Sequence, residues 1–67
     1  MILRVVRPKD TVIVAIMPYK DTKLYSFVNL TKFHICSCKF KTVEDAINDL
    51  EERIKDGRVL SYEILKN

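Results

Sequence analysis

The sequence predicts a small α+β domain: a mainly antiparallel sheet in the chain order β-β-β-β-α-β, with one amphipathic helix packed on one face. Three observations predict it. From Ile2 to Phe40 the chain is a succession of short runs rich in β-branched and aromatic residues, broken by turn residues. From Val43 the apolar residues switch to a spacing of three and four, and after Gly57 they return to alternation. A chain of 67 residues is one domain, 1–67, near the lower size at which a hydrophobic core alone offsets the entropy of ordering the backbone.

Ile2 to Val6 reads as a first strand ended by the Pro8-Lys9-Asp10 turn. Thr11 to Met17 is apolar on both faces, as a central strand is, and Pro18 to Thr22 turns it into a hairpin with Lys23 to Leu30. A fourth strand is expected from about Phe33 to Phe40. Thr42-Val43-Glu44-Asp45 then makes a capping-box-like start, in which the Thr hydroxyl accepts from the Asp45 amide and two acids meet the positive end of the helix dipole. Val43, Ala46, Ile47, Leu50 and Ile54 line the buried face. Asp49 with Arg53 and Glu51 with Lys55 are spaced as i,i+4 ion pairs, and Gly57 supplies the left-handed stop. Arg58 to Leu65 alternates as a closing strand, with Leu60, Tyr62 and Ile64 on one face and Ser61 and Glu63 on the other. A right-handed crossover through the helix is expected to place this strand parallel to the fourth within an otherwise antiparallel sheet.

The N-terminal apolar stretch is interrupted by Arg4 and Arg7 and is far shorter than a secretory segment or a membrane span, so a cytoplasmic protein with no membrane association is expected. Cys36 and Cys38, one residue apart, close no useful loop, and reduced thiols are expected. One helix covers only one face of so apolar a sheet. The other face must meet solvent, a ligand or a second copy, and a homodimer is the expected state.

No site for covalent catalysis is evident: a single His serves the chain, with no nucleophile elbow and no glycine-rich phosphate loop, so a non-enzymatic role without a cofactor is expected. His34, Cys36 and Cys38 would share one strand face at a spacing of roughly 6.5–7 Å. Tetrahedral zinc needs four convergent ligands, so only a metal-linked dimer completes the set, and the reading preferred for the two cysteines is packing.

Charge divides the chain. Residues 1–41 hold eight Lys or Arg against Asp10 and Asp21, whereas residues 42–67 hold four against seven acids. The acidic helix face, with Glu44, Asp45, Asp49 and Glu52, is one candidate partner-binding surface. In the basic half, Lys20, Lys23, Tyr25, Phe27 and Lys32 offer the alternative of single-stranded nucleic-acid binding by stacking and phosphate neutralisation. Tyr25 and Phe27 share a face and equally suit a core.

The run Tyr25-Ser26-Phe27-Val28-Asn29-Leu30-Thr31-Lys32, continued by His34-Ile35-Cys36-Ser37-Cys38-Lys39-Phe40 and the helix from Thr42, resembles short uncharacterised proteins carried by phages and mobile elements of Gram-positive bacteria. It departs from that pattern at Phe33, where Gly is expected, and at Ser37, where Pro is expected. The resemblance implies a small protein-binding module that inhibits or redirects a host protein, a defence component being one such target.

Overall fold

The computed structural model describes residues 1–19 and 21–67. Its elements are β1 (Ile2–Val6), β2 (Thr11–Pro18), β3 (Tyr25–Asn29), β4 (His34–Ile35), α1 (Val43–Lys55) and β5 (Ser61–Lys66). They form a five-stranded sheet in the order β4-β3-β2-β1-β5, with α1 on one face. β2 lies at the centre, which is why its sequence is apolar on both sides.

Every neighbouring pair is antiparallel, so the expected parallel pair is absent among the described residues. The reason is reach. A helix of 13 residues is about 20 Å long, and four strand spacings also amount to about 19 Å. The helix therefore delivers the chain to the far edge of the sheet, where β5 pairs with β1 instead of with β4.

The helix begins as its sequence predicts. The Thr42 side chain accepts from the Asp45 amide at 3.0 Å, and Gly57 takes φ +85° after the last turn. Ala46 and Leu50 are buried against Leu3, Val5, Val12, Ile16, Phe27 and Val59, and this cluster is the core. Asp49 pairs with Arg53 at 2.8 Å as expected. Glu51 does not pair with Lys55; it accepts from the Tyr62 hydroxyl at 2.8 Å, tying the helix to β5, while Lys55 turns to Glu52 at 3.7 Å.

The predicted fourth strand is much shorter than expected. Val28 pairs with Ile35, but the next pairing is the isolated bridge between Tyr25 and Phe40, so two extra residues are taken up on the later strand. Cys36-Ser37-Cys38 forms the resulting bulge. Its carbonyls at Cys36 and Cys38 both lie 2.8 Å from the hydroxyl of buried Ser26, and the Cys36 amide donates to Phe27 O at 2.9 Å. Cys36 and Cys38 are joined by a disulfide, with Cα atoms 5.3 Å apart, which corrects the expectation of free thiols. The bulge is what brings two sulfurs of the same strand segment together; on a regular strand they would stand about 6.5–7 Å apart.

Candidate interaction surfaces

Strand register assigns each side chain to a face, because directly opposed residues in antiparallel strands project to the same side. Leu3, Val5, Val12, Val14, Ile16, Tyr25, Phe27, Asn29, His34 and Tyr62 thus point toward α1. Ile2, Val6, Ile13, Ala15, Met17, Val28 and Ile35 point the other way, together with Arg4, Ser26 and Glu63. No helix covers this second face among the described residues.

The bare face is apolar across its width. Met17 is 46% and Ile35 60% exposed, Ile2, Val6, Ile13 and Val28 are half-buried, and small Ala15 is sunk between its cross-strand neighbours Ile2 and Val28. Met17, Ser26, Val28 and Ile35 line a shallow depression at the β3–β4 side. An ion pair of Arg4 with Glu63 at 2.6 Å stands at its β1–β5 margin. A contiguous apolar surface with a polar margin is the make-up of a protein-interaction patch.

The acidic residues of α1 are less available than their sequence spacing implies. Asp45, Asp49 and Glu52 fall on one ridge of the helix, as i, i+4 and i+7. Asp49 is engaged by Arg53 and Glu52 by Lys55, whereas Glu44 and Asp45 are exposed and face the first turn. Half of the predicted acidic surface is therefore already neutralised.

The residues expected to contact nucleic acid are not assembled into a stacking platform. Lys20 lies outside the described residues. Lys23 and Lys32 are exposed, and Lys32 approaches Asp10 at 3.7 Å. Phe27 is buried in the core, edge-on to Phe40 with ring centres 5.2 Å apart, and half-buried Tyr25 packs against the same cluster. Both side chains face the helix, and buried Phe27 presents no ring to a base, which corrects the expectation for that residue. Hydrophobic burial won where the alternating pattern left the choice of face open.

The metal reading also loses its ligands in this form, because a disulfide sulfur carries no thiolate to donate. Among the described residues no group of three His, Cys, Asp or Glu side chains converges as a metal site. No helix of the described residues is long and apolar enough to cross a membrane.

Two features escaped the sequence reading. The first is a cleft of about 240 Å³ at the edge of the helix–sheet interface, with Val5, Val12, Val14, Phe27, Leu50 and Val59 as its floor and Arg7, Asn29, His34 and Arg53 around its mouth. Arg7 holds Asp10 through two hydrogen bonds of 2.6 and 2.7 Å, and Arg53 holds Asp49 while its guanidinium lies 5.2 Å over the Phe27 ring. The Asp10 carboxyl is thereby held below the usual carboxylate range, chiefly by its hydrogen bond from Arg7.

The second is Phe33, at the tip of the β3–β4 turn. It is 94% exposed and adopts a left-handed backbone with φ +55°. Asp21, the other non-glycine residue with positive φ among the described residues, belongs to a type that tolerates this conformation, whereas a bulky aromatic there is an outlier. The turn is built around it: Asn29 Oδ1 accepts from the Lys32 amide at 2.9 Å, and Thr31 Oγ1 accepts from the Ile13 amide at 2.9 Å. The signal in the sequence was a bulky aromatic within the turn that joins two strands. Comparison with protein-family models, curated proteins and solved structures finds no match.

Proposed function

We propose that the chain is a non-enzymatic protein-binding module of the cytoplasm that presents its bare sheet face to a partner protein. Following the resemblance, the partner is a host protein, which a phage-type modulator of this size inhibits or redirects; a defence component is one such target. The observation that carries the reading is the uncovered apolar surface of Ile2, Ile13, Met17, Val28 and Ile35, because leaving it in water forgoes about 25 cal/mol for each Å² that a partner would bury. The sheet face is favoured over the acidic helix face because Asp49 and Glu52 are already paired within the chain.

The disulfide does not tie the reading to an oxidising compartment. The bulge is held by Ser26 and by the Tyr25–Phe40 and Cys36–Phe27 backbone bonds as well as by the disulfide, so its shape is expected to survive reduction of Cys36 and Cys38.

The test is affinity capture from a lysate of a Gram-positive bacterium with the immobilised chain. Wild type is expected to retain a partner at near one-to-one ratio, Val28→Lys to lose it, and the doubly substituted Glu44→Lys, Asp45→Lys chain to keep it. Identical recoveries by wild type and Val28→Lys, or no stoichiometric partner at all, would overturn the reading.

A further inference from the structure

The cleft beneath α1 and the exposed Phe33 are a matched pair, and we infer that they join two copies of this chain in a symmetric dimer in which the Phe33 ring of each copy seats in the cleft of the other. This contact goes beyond the function proposed above and uses different surfaces, since the cleft opens on the helix side and leaves the bare sheet face free.

The chemistry of the cleft selects its occupant. Two arginines at a mouth would ordinarily attract an anion. Here each guanidinium already has its own carboxylate, Arg7 with Asp10 and Arg53 with Asp49, so the mouth is balanced and an anion would have to displace one of them. An uncharged ring has no such competitor. It finds an apolar floor and the planar face of Arg53, which already stacks on Phe27 from one side. Size agrees as well: a dry apolar cavity of about 150 Å³ accepts benzene, and this cleft is about 240 Å³.

The chain itself carries the ring. Phe33 is almost wholly exposed and is held out by a left-handed backbone that its side chain disfavours, an arrangement that folding alone does not reward. His34, the next residue, lines the mouth of the cleft, so knob and socket are neighbours on one protomer, as a two-fold, self-complementary contact requires. Each aromatic ring buries about 150–250 Å² and covers the smaller area that the cleft exposes, which gives roughly 500–700 Å² for two seats. With exposed Leu30 and Lys32 of the same turns brought into contact, the total stays below the roughly 1,200 Å² of stable interfaces and falls in the class of weak, reversible contacts.

The experiment is the mass in solution by light scattering across a dilution series from roughly 100 µM, above the micromolar dissociation constant expected of so small an interface. Wild type is expected at twice the 7.9 kDa chain mass at the top of the series, returning to 7.9 kDa on dilution. Phe33→Gly is expected to stay at 7.9 kDa throughout with an unfolding temperature no lower than that of wild type, since Gly accepts the turn's φ. Phe33→Ala, which keeps most of the backbone penalty and loses the ring, is expected to be monomeric as well. Val14→Phe, which fills the socket from its own floor, gives the same result from the other side, and the Phe33 variants decide the matter if that chain does not fold. A wild-type chain that remains at 7.9 kDa at the highest concentration, or a Phe33→Gly chain that keeps the doubled mass, would overturn the inference. Val28→Lys is expected to keep the doubled mass, so its loss of the bacterial partner and the loss of the dimer in Phe33→Gly report on separate surfaces.

Discussion

Arg7 and Asp10 close the β1–β2 turn with a two-pronged ion pair, and beyond the helix Arg58 Nε donates to both carboxylate oxygens of Asp56. In both cases the hydrogen bond from arginine is the chief cause that holds the carboxyl below its usual range. Tyr62 moves the other way, because its hydroxyl donates to Glu51 and the proton is retained to higher pH than usual. The signs follow directly. A carboxyl lowered in the folded chain contributes stability above its unfolded pKa, of about 4, and loses it as pH falls through the lower folded value. A phenol raised in the folded chain contributes stability below about pH 10 and loses it as pH rises through the higher folded value. Thermal unfolding followed by circular dichroism should therefore show a plateau near neutrality with an acid and an alkaline shoulder. Asp10→Asn should reduce the acid shoulder to the share left by Asp56 without touching the alkaline one, and Tyr62→Phe should flatten the alkaline one. All these side chains are in contact with water, so the changes are small, within the range of surface ion pairs.

At the scale of elements, the bulge between β4 and the Tyr25–Phe40 bridge is tied to β3 by one side-chain hydroxyl in addition to its backbone bonds. Ser26 is 1% exposed and lies 2.8 Å from two carbonyls of the bulge, so Ser26→Ala removes the single O–H that the two share. The expected cost is about 1–3 kcal/mol, read as a lower urea midpoint at unchanged slope. This is also where the sequence stopped being informative. The helix was legible because its start, its stripe and its stop are local: Thr42, the run from Val43 to Ile54, and Gly57. β2 was legible because Val12 to Met17 lacks a polar face. The break after Ile35 was not, because it is set by a partner far along the chain. The local alternation of Phe33 to Phe40 is that of a strand, and only the buried Ser26 and the pairing of Phe40 with Tyr25 shift the register. The position of β5 failed for a similar reason, since the helix's length relative to the width of the sheet decides the edge, and the sheet's width is not written in any one segment.

For the molecule as a whole, the sequence foresaw the imbalance that matters, one covered and one uncovered face, but not the pairing of a protruding ring with a cleft. The uncovered face follows from counting helices against sheet faces. The cleft follows from how Leu50 and Val59 meet Val12 and Val14, and the prominence of Phe33 from a backbone angle, neither of which leaves a periodic trace. β1 and β5 are antiparallel neighbours, and Ile2 lies opposite Lys66. Tension applied through these two residues meets the backbone ladder one rung at a time instead of loading all of it in shear. In an optical trap with handles at both ends, β5 is expected to peel away first, at low force, exposing the flank of β1 while the β1–β2–β3 hairpins still hold together.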